Sequence, residues 1–381
     1  MKIPFNKPYL TGKEAHYIYQ AVYSGHISGN GIFTRKCHSF FETQYGFKKA
    51  LLTTSCTDAL EMAALLINIQ PGDEVITPSY TFVSTPLAFA RQGAKIVFAD
   101  SEANTPNIDA EKLEALITEK TRAIVPVHYA GIACDMDKIM KLAEKHDLFV
   151  IEDAAHSIES FYKGIPLGTI GHLSAFSFHE TKNINAGEGG LLGINDDQFI
   201  KRAEIIWEKG TNRSEFFRGE VNKYGWVDVG SSFLPSDIIA AYLFAQLENL
   251  DKIQERRIEI WDQYCNGLKD LDEKGFLKLP VIPRFATNNA HMFYLVCNTP
   301  EEKDKLLHHL RSQGIAAVFH YLSLHKSPYY KKHYKGQELP NTDRYTDCLI
   351  RLPLFYELTD AQVNEIIRQV HLFYTNATDK R

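Results

Sequence analysis

Short apolar runs alternate with amphipathic segments between residues 50 and 195, and this is the strongest structural pattern in the chain. Leu60, Ala63 and Ile67 recur at helical spacing, and Pro71-Gly72 ends the helix that they predict. The apolar runs have the length and composition of buried strands: KKALLTT, DEVITP, AKIVFAD, RAIVPV, LFVIED and SAFSF. Strands separated by helices predict an α/β fold with a doubly wound, mostly parallel sheet.

Further segments complete the predicted architecture. IDAEKLEALITEK and MDKIMKLAEKHD have the spacing of amphipathic helices, and GGLLGIND follows SAFSF so closely that it predicts an antiparallel neighbour. The segment AAYLFAQLENLDKIQERRIEIWDQYCNGLKDL predicts one long helix leaving the sheet, after which short strands and helices alternate. We therefore predict a large α/β domain over residues 1–250 and a smaller C-terminal α+β domain over residues 251–381.

Composition narrows the class of protein. The chain has 381 residues, of which 44% are hydrophobic, so it can bury a large core. Its net charge of -5 does not favour a nucleic-acid surface, and its six cysteines are scattered without a CxxC pair, which argues against a zinc site or a disulfide scaffold. No apolar run approaches the roughly 18 residues of a membrane helix, and the N-terminus lacks the apolar centre of a signal peptide. We expect a cytoplasmic protein without metal, nucleic-acid or membrane partners.

Polar and aromatic residues follow nearly every predicted strand. In a doubly wound sheet, ligands bind at the carboxyl ends of the strands. The groups found at those ends are Ser55-Cys56-Thr57, Ser79-Tyr80-Thr81-Phe82, His128-Tyr129, Glu152-Asp153 and His179-Glu180-Thr181-Lys182. Their coincidence predicts a functional site along this edge of the sheet.

Each of three features at these strand ends has a functional and a structural interpretation. The turn TTSCTDAL offers backbone amides at a helix start, which bind phosphate, although Ser and Thr also serve there as ordinary helix caps. Asp153 follows a buried strand and either caps a helix or holds a ring nitrogen protonated. Lys182 follows an aromatic strand and precedes Gly187, Gly189 and Gly190; it is either an exposed lysine or a nucleophile activated by burial.

Taken together, the phosphate turn, the buried acid and the reactive lysine predict an enzyme that forms a Schiff base with pyridoxal 5'-phosphate (PLP). A dinucleotide-dependent oxidoreductase is the alternative from another reaction class. It requires a G-x-G-x-x-G turn after the first strand, and TTSCTDA has no glycine.

Longer stretches resemble the DegT/DnrJ/EryC1/StrS family of sugar aminotransferases. They include IEDAAHS, GTIGHLSAFSFHETKN, GEGGLL, HYAGIACDMD, HYLSLHKSPYY and RLPLFYELT, and the resemblance runs along nearly the whole chain. LEMAALLINIQPGDEVITPSYTFVSTPLAF and FHETKNINAGEGG are most similar to the branch that makes dTDP-4-amino-4,6-dideoxygalactose for enterobacterial common antigen. The family has the type I fold of PLP-dependent transferases.

The resemblance implies roles for residues around the cofactor. Lys182 would carry the cofactor and move the proton, Asp153 would pair with the pyridine nitrogen, and His156 would hydrogen-bond the phenolic oxygen of the ring. The remaining cofactor contacts would be Phe82 against the ring, Cys56, Thr57 and Ser177 at the phosphate, and Ser232 reaching across a dimer. Cys56 stands where many members have Gly, and Ser232 stands where many have Asn. Lys182 is intact, whereas a dehydratase branch of the family has His there.

The resemblance also implies the reaction. An amino group would pass from L-glutamate to C4 of dTDP-4-keto-6-deoxy-D-glucose, giving dTDP-4-amino-4,6-dideoxy-D-galactose, in a homodimer with its active site at the interface. Three alternatives stay open: the gluco epimer as product, amination at C3, and a sensor that binds without turnover. No residue decides between axial and equatorial delivery of the amine.

The substrate contacts that the sequence suggests lie in two segments. The basic, aromatic loop GTNRSEFFRGEVNKYGW could clamp the nucleotide diphosphate, or it could be a solvated loop that packs a dimer interface. The second segment, FHYLSLH, is near the sugar in the family, but its members could equally be core residues. The candidates are Arg213, Arg218, Lys223, Tyr224, His320, Tyr321 and His325.

Overall fold

Within residues 2–378, which the computed structural model describes (side chains over 2–375), seven strands form the main sheet in the order β1-β9-β8-β5-β4-β2-β3. Strands β8, β5, β4, β2 and β3 run parallel, whereas β9 runs antiparallel to both β1 and β8. The strands of this sheet and of a small hairpin, β6–β7, are β1 Lys49–Thr53, β2 Glu74–Pro78, β3 Lys95–Ala99, β4 Thr121–Ile124, β5 Phe149–Asp153, β6 Phe161–Tyr162, β7 Ile165–Pro166, β8 Leu173–Ser177 and β9 Gly190–Ile194. The mostly parallel sheet and the antiparallel GGLLGIND strand are confirmed.

Helices cover both faces of this sheet, as a doubly wound fold requires. The helices are α1 Glu14–Tyr23, α2 Ile32–Gln44, α3 Cys56–Leu66, α4 Ser84–Ala90, α5 Met136–His146, α6 Ile200–Trp207, α7 Arg213–Phe217, α8 Asp237–Leu247, α9 Leu250–Glu273, α10 Pro300–Ser312, α11 Pro340–Cys348 and α12 Asp360–Thr378. Neighbouring residues of β1 show the alternation: Leu51 packs in the core cluster of α3, and Leu52 packs with Phe41 of α2 on the opposite face. None of the described helices is long and apolar enough to cross a membrane.

The amphipathic helix predicted for IDAEKLEALITEK is wrong. The segment forms two short 3-10 turns, Ala110–Lys112 and Glu114–Leu116. The Asp109 carboxylate accepts the Glu111 amide at 3.2 Å, which fixes a tight turn in place of a helical start. The segment is anchored by burial of Ile108 and Leu113. The apolar residues are buried as their spacing predicts, but the segment that buries them is a connection made of turns and not a helix.

The single long helix predicted from Ala240 is also wrong. It is divided into α8 and α9 at Glu248 and Asn249. The Asn249 side chain donates to the Ala245 carbonyl at 3.0 Å, and a side chain that bonds the backbone competes with the helical ladder. Glu248 accepts from Lys13 and from the Tyr17 hydroxyl, which ties the break to α1.

A second, antiparallel sheet is formed by β10 Leu277–Lys278, β11 Phe293–Cys297 and β12 Leu349–Leu352, with β11 in the centre. Helices α9, α10 and α12 bury one core cluster with it. Ile3 pairs in parallel with Ile315, so the N-terminal segment joins this second unit. The domain boundary between residues 250 and 251 stays a prediction; α9 begins at Leu250.

The segment that follows His325 crosses from the second unit to the edge of the main sheet. There the Tyr330 hydroxyl accepts the backbone N–H of Ile96 at 2.8 Å and donates to the carbonyl of the same residue at 3.0 Å. The Tyr330 ring meets Phe98 edge-on at 5.0 Å. A single side chain therefore satisfies both backbone groups of one residue on the outermost strand, β3.

Candidate active site

A cavity of about 810 Å³ opens where the carboxyl ends of β1, β5 and β8 face the second sheet. The large sheet supplies its floor, and β12 and residues 319–321 supply the opposite wall. The sequence-predicted residues that line it are Cys56, Thr57, Phe82, Asp153, His156, Ser177, Lys182, His320 and Tyr321. The structure thus brings together the strand ends on which the sequence placed the site.

The turn between β1 and α3 forms one end of the cavity. The Ser55 hydroxyl accepts the Asp58 amide at 3.1 Å, so Ser55 is the helix cap that the structural interpretation expects. Cys56 and Thr57, in the first turn of α3, nevertheless line the cavity, and Ser177 of β8 lies beside them. First-turn amides and hydroxyls at a helix N-terminus attract an anion. The cap and the anion cradle coexist in this turn.

Gly190, the first residue of β9, is required by the close approach of that turn. A Cβ at this position would lie 2.4 Å from the Ser55 carbonyl carbon and 2.4 Å from the Cys56 nitrogen. Only glycine fits where two backbone segments are this close. The glycine-rich stretch after Lys182 therefore holds the loop of the lysine against the turn at the end of the cavity.

The loop that presents Lys182 is closed by backbone hydrogen bonds. The Lys182 amide donates to the His179 carbonyl at 2.9 Å, and the Glu180 amide donates to Gly187 at 2.9 Å. Gly187 has a φ of +75°, a conformation that favours glycine. The loop fixes the backbone from which the lysine side chain enters the cavity.

The amine of Lys182 is activated by its surroundings. Burial lowers the pKa of Lys182, and the positive charge of Arg351 adds to this lowering. The negative charge of Asp153 opposes it, and the resulting pKa is about 8. Desolvation disfavours the ammonium form, so about a tenth of the amine is neutral at pH 7, far more than at an ordinary lysine pKa. A neutral amine is the nucleophilic form.

Asp153 ends β5 on the cavity floor. Its Oδ2 accepts the Thr85 hydroxyl at 2.6 Å, and its Oδ1 accepts the Ala155 amide at 3.1 Å. Burial raises the pKa of Asp153, while these two donors and the charge of Lys182 oppose that rise. Such a carboxylate gains most from a cationic partner in the cavity.

The preceding residue, Glu152, which the sequence places with Asp153 at this strand end, points to the opposite side and does not line the cavity. Its side chain is fully buried. The carboxylate oxygens accept hydrogen bonds from the backbone N–H groups of Gly168, Ile170 and Gly171, with N···O distances of 2.6 to 2.8 Å. The His128 Nε2 lies 2.9 Å from it. Burial raises the pKa of Glu152, but these donors outweigh burial and lower it. The network fixes the end of β5, and hence Asp153.

The hydrogen bonds of His156 determine which of its ring nitrogens carries the proton. Its Nδ1 accepts the Ala130 amide at 3.2 Å, so the proton of the neutral ring is on Nε2, which lies 3.3 Å from the Tyr321 hydroxyl. Burial keeps the pKa of His156 well below its ordinary value. Its ring stacks on His291 at 4.2 Å, and the His291 Nδ1 is bonded to Asn183 at 2.8 Å. His156 is therefore a neutral donor held rigidly at the cavity wall.

The wall opposite Asp153 is aromatic. His320 and Tyr321 stack with ring centroids 3.6 Å apart, and the Tyr129 hydroxyl lies 2.6 Å from the His320 Nδ1. The Phe82 ring lies 6.1 Å from Tyr321, and its exposed fraction of 57% leaves a face free for a ligand. These rings suit a flat heteroaromatic group or a sugar.

The other predicted residues lie outside this lining. His325 is buried against Ser79, with its Nδ1 2.8 Å from the Ser79 hydroxyl, so we interpret it as a packing residue and no longer as a substrate ligand. Arg218 pairs with Glu204 at 2.7 Å and with Glu220 at 2.6 Å. Between α6 and α8, five predicted residues are exposed: Arg213, Arg218, Lys223, Tyr224 and Ser232. In a single chain they do not reach the cavity.

Arg351 lines the cavity and is not among the site residues that the sequence predicts. It lies on β12, inside the stretch RLPLFYELT, and its guanidinium sits 4.7 Å from the Phe5 ring. A single arginine in a short strand carries no local signal of function. Only the register of the second sheet brings it to the cavity.

The side chains of the cavity fit PLP. Amides and hydroxyls of Cys56, Thr57 and Ser177 are donors for its phosphate, and the Lys182 amine is a nucleophile for its aldehyde. The buried Asp153 carboxylate complements a protonated pyridine nitrogen, and the Nε2–H of His156 can donate to the ring oxygen. This donor set contains an acceptor or donor for every polar group of the cofactor.

The fold is that of solved PLP-dependent aminotransferases. The Streptococcus pneumoniae protein Spr1654 in its PMP form superposes with a TM-score of 0.91 at 27% identity, covering 98% of this chain and 100% of that chain. Helicobacter pylori PseC, an aminotransferase of pseudoaminic acid biosynthesis, superposes with a TM-score of 0.90 at 25% identity, covering 99% of this chain and 100% of that chain.

The sequence gives the family. The chain belongs to the DegT/DnrJ/EryC1/StrS aminotransferase family, whose profile matches residues 8–371. The spore coat polysaccharide biosynthesis protein SpsC of Bacillus subtilis is 34% identical over 382 residues, covering 97% of this chain and 96% of SpsC. The protein is thus a PLP-dependent sugar aminotransferase, and the predictions of fold type, cofactor and enzyme class are confirmed.

Proposed function

We propose that the protein transfers an amino group from L-glutamate to C4 of dTDP-4-keto-6-deoxy-D-glucose, giving dTDP-4-amino-4,6-dideoxy-D-galactose. The observation that carries the proposal is the Lys182 amine, whose pKa burial lowers to about 8, in one cavity with the buried Asp153. Family membership supports the transfer to a sugar. The stretches LEMAALLINIQ and FHETKNINAGEGG support the choice of dTDP sugar and galacto product through their resemblance to that branch.

In the proposed reaction, PLP supplies the electron sink that stabilises negative charge at the reacting carbon. Lys182 removes the proton from the α-carbon of the donor and returns a proton at C4 of the sugar, since one group of intermediate pKa can serve as base and acid in turn. Asp153 keeps the pyridine nitrogen protonated. His156 holds the ring oxygen, Phe82 covers a ring face, and Cys56, Thr57 and Ser177 hold the phosphate.

A homodimer is part of the proposal. Exposed apolar side chains concentrate on α1 and on the loop after α6; Tyr23 is 81% exposed and Trp226 is 84% exposed. A patch of this kind on a protein surface marks an interaction site. In such a dimer, Ser232 would complete the phosphate site of the partner, and Arg213, Arg218, Lys223 or Tyr224 would clamp the nucleotide diphosphate. His320 and Tyr321 would contact the sugar.

The test is proton NMR of the product formed from dTDP-4-keto-6-deoxyglucose and L-glutamate. Small coupling constants of the proton on sugar C4 indicate an equatorial proton and hence an axial amine, which supports the galacto product. Large coupling constants indicate an equatorial amine. They would overturn the galacto product and show that the enzyme makes the gluco epimer. An amine at C3, or no amino sugar, overturns the substrate assignment.

Adding L-glutamate alone tests for turnover against the sensor alternative. The transaminase converts its bound cofactor to the pyridoxamine form and loses visible absorbance. A sensor keeps the absorbance unchanged.

A further inference from the structure

The register of the second sheet directs Arg351 into the cavity. Ile350 and Leu352, its neighbours on β12, pack in the core of the second unit. Side chains alternate along a strand, so Arg351 points to the opposite face, beside its cross-strand partner Tyr294. That face looks across the cavity toward the main sheet.

The guanidinium of Arg351 is a positive charge in the cavity wall. Among the described side chains, those of residues 2–375, it forms no ion pair and its Nε is buried without a hydrogen-bond partner. Of the described cavity-lining residues, only Lys182 and Arg351 are a lysine or an arginine, and only Arg351 stays charged throughout the neutral pH range. An unpaired guanidinium whose Nε is buried gains from a ligand that supplies the counter-charge.

The side chain is held in place before any ligand binds. The Phe5 ring lies 4.7 Å from the guanidinium carbon, and Phe5 is positioned by the pairing of Ile3 with Ile315. Stacking on an aromatic face orients the planar guanidinium and leaves its edge free. An oriented guanidinium edge matches the two oxygens of a carboxylate or phosphate.

We propose that Arg351 binds a carboxylate of the amino donor. This assignment rests on the proposed use of L-glutamate. It makes Arg351 the residue that recognises the donor as an amino acid, in the same cavity that later receives the sugar.

The alternative anion, the nucleotide diphosphate, fits the position less well. Arg351 lines the same cavity as Lys182 and His156, and its positive charge contributes to the lowered pKa of both groups. The α-carboxylate of an amino acid is bonded directly to the reacting carbon. The diphosphate of the sugar nucleotide is attached at C1, across the ring from the reacting C4. The cofactor phosphate has its own donors at the N-terminus of α3.

The experiment compares Arg351→Gln and Arg351→Lys in the full chain loaded with PLP. The matched control is Arg368→Gln, since Arg368 is an exposed arginine on α12 paired with Glu365. Each half-reaction is followed separately by cofactor absorbance, with L-glutamate in one direction and the keto sugar in the other. Calorimetry with glutarate, a dicarboxylate without an amino group, measures carboxylate binding without turnover.

Loss of a charge-assisted, two-point contact should raise the half-saturating glutamate concentration of Arg351→Gln by about 10- to 100-fold. Glutarate binding should weaken by a similar factor, and the half-saturating concentration of keto sugar should change less than about threefold. Arg351→Lys should recover part of the glutamate affinity, since lysine keeps the positive charge but cannot donate the two parallel hydrogen bonds of a guanidinium. Arg368→Gln should behave as the wild type.

Two outcomes overturn the assignment. The first is unchanged affinity for glutamate and glutarate, and the second is a loss confined to the keto sugar, which would mean that Arg351 binds the diphosphate. Failure of the proposed sugar substrate is a separate result: wild-type protein then makes no amino sugar. Glutarate binding by the Arg351 variants still decides the inference in that case.

Discussion

The Thr85 hydroxyl donates a hydrogen bond to Oδ2 of Asp153 at 2.6 Å, and both side chains are buried. Because a hydroxyl has one proton, the contact of Thr81 with Thr85 at 2.9 Å must run from Thr81 to Thr85. The two hydroxyls therefore form a chain that ends on the carboxylate. Each link stabilises the ionised form of Asp153 in a buried site.

Thr85→Val removes the last link of this chain with little change in volume. The pKa of Asp153 should then rise further, so the carboxylate holds a ring nitrogen less effectively, and kcat should fall about 10-fold. The measurement is kcat together with the pH dependence of the cofactor absorbance, which should shift. Thr85→Ser keeps the donor and should restore both quantities; an unshifted pH dependence in Thr85→Val would contradict the role.

Asp153→Asn should separate activity from stability. Without the negative charge, turnover should fall by about 100-fold or more. The cofactor-free variant should nevertheless unfold at a higher temperature near neutral pH. Burial raises the pKa of Asp153, so the wild type loses stability as pH rises from the ordinary value of 3.8 through the raised one, and the asparagine has no such loss. Thermal unfolding of both proteins at several pH values checks this, and normal kinetics in the variant would mean that the wrong carboxylate was chosen.

The lowered pKa of Lys182 sets the pH dependence of cofactor loading. The neutral amine reacts with an aldehyde, so the loading rate of cofactor-free protein should rise with pH and level off above about 8. Stopped-flow absorbance after mixing with PLP measures the rate. Lys182→Ala should bind PLP non-covalently without turnover, whereas Lys141→Ala, at an exposed lysine on α5, should match the wild type. A loading rate that still climbs near the ordinary lysine pKa would show that the amine is not activated.

Gly190→Ala should weaken cofactor binding by displacing the turn before α3. The new Cβ meets the backbone of Ser55 and Cys56 at 2.4 Å, and neither backbone can rotate away as a side chain can. We expect the dissociation constant of PLP to rise by at least about 10-fold, which an equilibrium titration of cofactor-free protein measures. Gly225→Ala is the matched control because a Cβ there meets nothing within 4 Å. Equal affinities for the two variants would contradict this interpretation.

Trp226→Glu should disrupt the proposed homodimer. A charge replaces a large side chain that is 84% exposed in the single chain, and a charged group is unfavourable in an apolar interface. Light scattering should give a mass near 43.4 kDa for the variant and twice that for the wild type, with activity lost together with the dimer. Ile165→Glu, on the β6–β7 hairpin, should leave the mass unchanged. A wild-type mass of one chain with full activity would refute the dimer.

The sequence predicts the main sheet well because local patterns encode it. Apolar runs such as the one before Asp153 have the length of a strand and lie between helical segments, which favours a buried strand over a helix. The errors arose where a side chain competes with the backbone: Asp109 closes a tight turn, and Asn249 interrupts a helix. The spacing of apolar residues does not reveal such competition, because it indicates only which face of a segment packs against the core.

The residues of the site likewise differ in how well the sequence predicts them. Lys182 and Asp153 carry local signals, a basic or acidic group directly after a buried strand. Arg351 and His291 do not, because they enter the cavity through strand register and long-range packing between two units. His325 is the opposite case: the sequence suggests a substrate ligand, but the structure buries the ring outside the cavity lining, with its Nδ1 hydrogen-bonded to Ser79. Residues brought to a site by tertiary packing are those that a single sequence hides.

The contact between Tyr330 and Ile96 has a consequence for how the chain is assembled. The outer side of β3 is otherwise an unpaired strand edge, the kind of surface onto which a strand of another molecule can add. The tyrosine hydroxyl occupies the amide and carbonyl that such a strand would need. Since Tyr330 comes from the second unit, the main sheet has an open edge until that unit has been synthesised and has docked. A fragment that ends before this segment would therefore be prone to aggregate, and the C-terminal part of the chain protects the N-terminal part from intermolecular strand pairing.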